Sequence, residues 1–92
     1  MTRELIDNPA AGRFELHTEE GLLASAEYTA NNETVAITRV FTRPTHRGRG
    51  LAAVVTEFAV DSIAASGRKV VPVCSYALAW YQEHPERADT LA

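Results

Sequence analysis

The sequence predicts one α+β domain: a three-stranded antiparallel meander, a crossover helix, one parallel C-terminal strand and a short C-terminal helix. Three observations carry this. Apolar residues alternate with period two in successive runs between residues 13 and 42. The period becomes helical between Gly50 and Ser66. A short apolar run, Val70 to Cys74, then follows Gly67 where a crossover delivers a parallel strand.

Asn8-Pro9-Ala10-Ala11-Gly12 has turn chemistry, and residues 1–11 are expected to be a loose terminus. The first strand is Arg13 to His17, with Phe14 and Leu16 on one face. Glu19-Glu20-Gly21 connects it to Leu22–Thr29, where Leu22, Ala24, Ala26 and Tyr28 share a face. After a turn at Asn31-Asn32, the third strand, Glu33 to Thr42, places Val35, Ile37, Arg39 and Phe41 on one side and Ala36, Thr38, Val40 and Thr42 on the other. Pro44 ends it. In the helix that follows, Leu51, Val54, Val55 and Phe58 form the apolar stripe, and Gly67 suits the C′ position. Ser75 is expected to N-cap a final helix, Tyr76 to Glu83, which Pro85 terminates, leaving 87–92 as a tail.

Composition narrows the functional classes. Ninety-two residues, 46% hydrophobic and 23% charged, make one ordinary globular domain, 1–92, expected as a monomer or small homo-oligomer. The first twelve residues hold no apolar signal region, and no apolar run approaches a membrane span, so neither secretion nor membrane association is expected. A single cysteine excludes an internal disulfide and suits a cytoplasmic setting. Net charge is −3, yet Arg39, Arg43, Arg47 and Arg49 fall within eleven residues that contain no acid. Because the positive charge is local, nucleic acid is not the expected partner. His, Cys and Asp show no metal-ligand spacing, so no metal is expected.

The chemistry concentrates in Phe41 to Ala52. Glycines at 48 and 50 let backbone approach a ligand, first-turn N–H groups of the helix point at it, and Arg43, Arg47 and Arg49 add positive charge. This pattern takes an anion, most economically a phosphorylated small molecule. Gly48-Arg49-Gly50-Leu51-Ala52-Ala53 formally fits a dinucleotide fingerprint, but the next strand ends at Cys74 rather than at an acid, and three antiparallel strands precede it. No Lys-Ser or Lys-Thr follows the glycines, so it is not a Walker loop.

Taken as Arg47-x-x-Gly50-x-Ala52, the stretch resembles the pyrophosphate loop of the GNAT superfamily of acyl-CoA acetyltransferases. The closest resemblance is to its minimal single-domain members, through Pro44 with Arg47-Gly48-Arg49-Gly50, Pro72-Val73-Cys74, the aromatic helix Tyr76 to Tyr81, and His84-Pro85. The resemblance implies that acetyl-CoA is the cosubstrate, its pyrophosphate on residues 48 to 52, that is Gly48, Arg49, Gly50, Leu51 and Ala52, with Arg47 and Arg49 assisting. It implies that the pantetheine passes along Val40 and Thr42, in a cleft where the third strand and the Cys74 strand splay apart. An unidentified amine is the implied acceptor, reached directly or through an acetylated Cys74.

Tyr81 falls where larger members place a tyrosine that protonates the departing thiolate, and His84 is a candidate base or orienter of Cys74. Each has a plain structural alternative: Cys74 as buried filling, Tyr81 as a ring packed with Trp80, His84 as a helix cap. Two features depart from the resemblance. Ile37 stands where the small members commonly carry a histidine before Thr38-Arg39-Val40, and the chain stops after the second helix. A CoA-binding module without turnover is therefore the alternative function, and a phosphate- or RNA-binding module a third.

Overall fold

A computed structural model describes residues 2–92; Met1, the first residue of the terminus expected to be loose, lies outside the described residues. The elements are β1 (Glu4–Asn8), β2 (Arg13–Thr18), β3 (Gly21–Ala30), β4 (Thr34–Thr42), α1 (Leu51–Ala65), β5 (Lys69–Pro72) and α2 (Ser75–Glu83), with 3₁₀ turns at Pro44–His46 and Pro85–Thr90. The sheet runs β1-β2-β3-β4-β5, antiparallel up to β4 and parallel between β4 and β5. This is the expected α+β arrangement with one strand more.

The added strand is β1, so the segment expected to be loose is instead a sheet edge. Leu5 pairs with Leu16 and packs against the core, while Ile6 pairs with Glu15 on the other face. Adjacent apolar residues on opposite faces of a five-residue strand show no alternation of their own, which hides the strand from a period-two reading.

Two bulges change which side chains face inward. Leu16 pairs with Ala24 but His17 with Leu22, leaving Leu23 as the extra residue of β3. Leu23, and not Leu22, is buried. In β4, Glu27 pairs with Arg39 but Tyr28 with Ile37, so Thr38 is extra. Val35 and Ile37 therefore share the inner face with Val40 and Thr42, whereas Arg39 and Phe41 turn outward. Strict alternation groups Val35, Ile37, Arg39 and Phe41; the bulge separates them by inserting one residue into the pleat.

The core lies between the inner sheet face and the helices. Val55, Ala59, Val60 and Ile63 of α1 cluster with Phe14, Leu16, Ala24, Ala26, Val35, Ile37 and Val70, and Phe58 meets Phe14 edge-on at 5.8 Å. Gly67, at φ +81°, ends α1: its N–H donates to Ala64 O and that of Arg68 to Ile63 O. Ala77, Trp80 and Tyr81 bring α2 into the same core.

Residues 87–92, expected as a tail, are tied down by distant partners. Arg87 bridges to Asp61 and Glu57 of α1, Lys69 Nζ donates to Asp89 O at 2.6 Å, and Leu91 forms a parallel bridge with Val70. None of these partners is local, so no local pattern announces the order.

The outer sheet face holds a buried carboxylate. Glu15, 3% exposed, accepts from Arg13 Nε at 2.5 Å, His17 Nε2 at 2.9 Å and Asn8 Nδ2 at 3.3 Å. Burial pushes its carboxyl up, but the hydrogen bonds from Arg13, His17 and Asn8, with the charge of Arg13, outweigh burial and hold it below the usual glutamate value. A depressed folded value means that this stabilisation is complete above the unfolded glutamate range and is lost as pH falls through the folded value. Glu15→Gln should therefore flatten the acid limb of a Tm-versus-pH curve taken from about pH 7 to pH 3. Parallel curves for variant and wild type would assign the acid sensitivity to other groups.

Candidate functional site

The site starts where β4 stops. Pro44 has no N–H to extend the ladder, the chain makes one 3₁₀ turn, and it passes through Arg47-Gly48-Arg49-Gly50 into α1. Gly48 and Gly50 have φ +82° and +75°, and among the described residues a Cβ on either would meet nothing within 4 Å beyond its own chain neighbours. Glycine is required here by conformation rather than by crowding.

Gly50 is the N-cap of α1 and offers no side-chain acceptor, and no acidic residue lies in the first turn. The first helical bond runs from Val54 N–H to Gly50 O at 3.2 Å. Among the described residues, the N–H groups of Gly48 through Ala53 have no acceptor. Arg47 and Arg49 are exposed and pair with no carboxylate among the described residues. An uncapped helix N-terminus with unpaired guanidinium groups beside it has the donors and the charge to hold an anion.

Next to the loop the sheet opens. Pairing of β4 with β5 runs from Thr34–Lys69 to Ile37–Pro72, and the N–H groups of Val73 and Cys74 then both converge on Ile37 O, at 3.0 and 3.2 Å. Thr38 to Thr42 continue past the end of β5 with no strand partner on that edge among the described residues. Pro72, the last β5 residue, has no N–H. The half-buried Val40 and Thr42 lie along this stretch.

Cys74 lies at the mouth of the opening, half-buried and reduced. Its backbone is extended while Ser75 is already helical, so Cys74, rather than Ser75, caps α2, its Sγ accepting from Ala77 N–H at 3.3 Å. The structure does not gather Cys74, Tyr81 and His84 at one point. His84 follows the far end of α2, about 15 Å along the axis from Cys74. It stacks on Trp80 at 4.2 Å and donates from Nδ1 to Trp80 O at 2.7 Å, which makes it a C-terminal cap. The buried Tyr81 donates to Thr90 Oγ1 at 2.7 Å, and Thr90 in turn donates to Arg87 O. Burial, partly offset by the Thr90 hydrogen bond and the charge of Arg87, raises the Tyr81 hydroxyl above its usual value.

His46 carries no functional signal in the sequence. It is the one buried residue of 44–50, with Nε2 donating to Glu20 Oε2 at 2.5 Å and Nδ1 lying 2.9 Å from Thr45 Oγ1. Arg43 Nη1 also donates to Glu20 O, at 3.1 Å. No local signal pairs a loop histidine with a turn glutamate 26 positions earlier.

Other features of the molecule do not compete with this site. A shallow hollow of about 330 Å³ is lined by Thr2, Glu4, His17, Thr18 and Glu19, and its carboxylates disfavour an anion. Among the described residues, no three His, Cys, Asp or Glu side chains are placed to hold a metal ion, and no helix is long and apolar enough to cross a membrane.

Comparison with known proteins bears on the fold and the family. No curated protein matches the chain in sequence. Among solved structures it is similar to a GCN5-like protein from Staphylococcus aureus determined by NMR in solution, with a TM-score of 0.59 at 19% identity, covering 97% of this chain and 87% of that one. At that identity the likeness speaks for the fold. The sequence profile described as GCN5-related N-acetyl-transferase matches residues 13–90, from β2 through the loop and crossover to the final 3₁₀ turn. With its meander, glycine loop and parallel crossover inside that match, the chain belongs to the GCN5-related N-acetyltransferase family.

Proposed function

We propose that the protein is an acetyl-CoA-dependent N-acetyltransferase. The observation that carries this is the free N–H cluster of residues 48–53, flanked by Arg47 and Arg49, lying beside the opened β4–β5 edge. The pyrophosphate sits on that cluster, the pantetheine lies along the free edge at Val40 and Thr42, and the thioester reaches Cys74. Family membership supports acetyl-CoA as cosubstrate.

Two routes deliver the acetyl group to an amine. In direct transfer the neutral amine attacks the thioester carbonyl, the C–S bond breaks, and the CoA thiolate takes up a proton as the new amide nitrogen loses one. In the covalent route the Cys74 thiolate attacks first, CoA leaves as the thiol after protonation, and the amine then displaces the cysteine sulfur. The N–H of Ala77, aimed at Sγ, meets negative charge there. Tyr81 and His84 enter this reading as the groups that hold α2, and hence Cys74, in place.

One observation favours a second reading, a CoA-binding module without turnover: the protons of Tyr81 and His84 are donated to Thr90 and Trp80 rather than offered near Cys74. Mass spectrometry after incubation with acetyl-CoA alone, followed by a panel of amines, decides among these. The covalent route predicts one acetyl group on Cys74, and no label and no amide product in Cys74→Ala. Full transfer by Cys74→Ala selects the direct route. Thermal stabilisation by CoA with no product from any amine selects the binding module, and absence of stabilisation rejects the acetyl-CoA reading itself.

A further inference from the structure

The loop that carries the anion site has almost nothing to hold it. Residues 47–50 are exposed, both glycines are in the left-handed region, and among the described residues nothing but their chain neighbours lies within 4 Å of where their Cβ atoms would be. Backbone support is limited to the 3₁₀ turn, where His46 N–H donates to Arg43 O at 2.8 Å and Arg47 N–H to Pro44 O at 3.5 Å. Such a segment loses conformational freedom on binding a ligand, and that loss subtracts from affinity unless the loop is already ordered.

His46 supplies the missing contact. Its ring is buried beneath the loop beside Leu23 and Leu51, at a cavity of about 100 Å³ that Arg3, Thr18 and Arg49 also line. Because an ionised carboxylate only accepts, the imidazole Nε2–H donates to Glu20, a charge-assisted bond from the loop to the β2–β3 turn. The same turn is held a second time by Arg43 through Glu20 O. Thr18–Gly21 pairing closes the β2–β3 hairpin, so the latch ties the loop to the rigid sheet.

We propose that His46 is a positioning residue for coenzyme binding: clasped by Glu20, it holds residues 47–50 so that the α1 N–H groups face the pyrophosphate. This rests on the acetyl-CoA reading, and it makes Glu20, a carboxylate close to an anion site, a promoter of anion binding. Simple electrostatics gives the opposite sign, since removing a negative charge near the site should tighten binding.

The experiment compares calorimetric affinities for CoA and for phosphate-free pantetheine in wild type, His46→Ala, His46→Gln, Glu20→Ala and the Ala/Ala double variant. Glu20 lies on an exposed turn, so Glu20→Ala keeps the test available if the buried His46→Ala variant fails to fold. The expected result is a CoA affinity about tenfold weaker in each alanine variant, no further loss in the double variant, and unchanged pantetheine affinity. His46→Gln, which still has an N–H to donate, should recover most of the loss. Equal losses for CoA and pantetheine would reduce His46 to a general structural role and overturn the proposal. Tighter or unchanged CoA binding in Glu20→Ala overturns it alone, whereas a wild type that prefers CoA no more than pantetheine overturns the coenzyme reading and the proposal with it.

Discussion

Gly50→Val is expected to cancel the thermal stabilisation that CoA confers on the wild-type protein. At φ +75° an ordinary L-residue is strained by about 1–2 kcal/mol, and a β-branched one by more. No neighbour would be struck by the new Cβ, so the strain is relieved by the loop moving to negative φ rather than by the core shifting. The N–H groups of Leu51 to Ala53 then lose their common direction. At a ligand concentration of about 100 Kd the wild-type gain is about 2.7 kcal/mol, a Tm shift on the order of 10 °C for a domain of this size. Gly50→Val should show almost none of it, with a smaller change in the ligand-free Tm. Gly50→Asn, whose side chain tolerates the left-handed region, should keep part of the shift. A wild-type shift surviving in Gly50→Val would mean that the free N–H cluster is not the site.

Trp80→Ala is expected to be the most damaging substitution for stability. The indole is 3% exposed, meets Tyr81 edge-on at 5.1 Å and stacks on His84 at 4.2 Å. Its removal empties the contact between α2 and the sheet, which costs about 3–5 kcal/mol for a buried tryptophan. For a small domain that is a fall in Tm on the order of 20 °C. His84→Ala removes only a stacked cap and should cost about 1 kcal/mol. Urea unfolding with an unchanged m-value would assign the difference to the native state. A loss below about 1 kcal/mol in Trp80→Ala would show that α2 is held by something other than this ring.

Much of the architecture is legible because its signals are local. Gly67 can end α1 with two backbone bonds because only glycine adopts φ +81° cheaply, so the stop is written in one residue. Pro44 and the two loop glycines mark the strand-to-helix passage in the same way. The meander between Arg13 and Thr42 shows itself through alternation, and that signal fails at the bulges. Leu22 and Leu23 are chemically equivalent, and only the pairing of His17 with Leu22 decides that Leu23 enters the core. Arg39 and Phe41 look continuous with Val35 and Ile37 until the extra residue, Thr38, turns them to the other face.

The candidate site divides along the same line. Arg47, Gly48, Arg49 and Gly50 stand together in sequence, so the anion-binding loop can be read directly. Cys74, Tyr81 and His84 are also close in sequence, but α2 sets their side chains at different points along its length. Hydrogen bonds to Thr90 and Trp80 then commit two of them to local partners.

By itself, then, the sequence determined the elements whose cause lies within a few residues: the β4-to-α1 loop, the crossover helix with its glycine stop, and the parallel strand that follows. Only the tertiary structure decided the edge strand β1, the inward-facing residues beyond each bulge, the ordered C-terminus under Arg87, and the His46–Glu20 latch. Those features depend on contacts between residues far apart in the chain, such as Leu5 with Leu16, Arg87 with Asp61 and His46 with Glu20. Their energy exists only once the sheet has brought the partners together, so no local period, cap or turn residue can announce them.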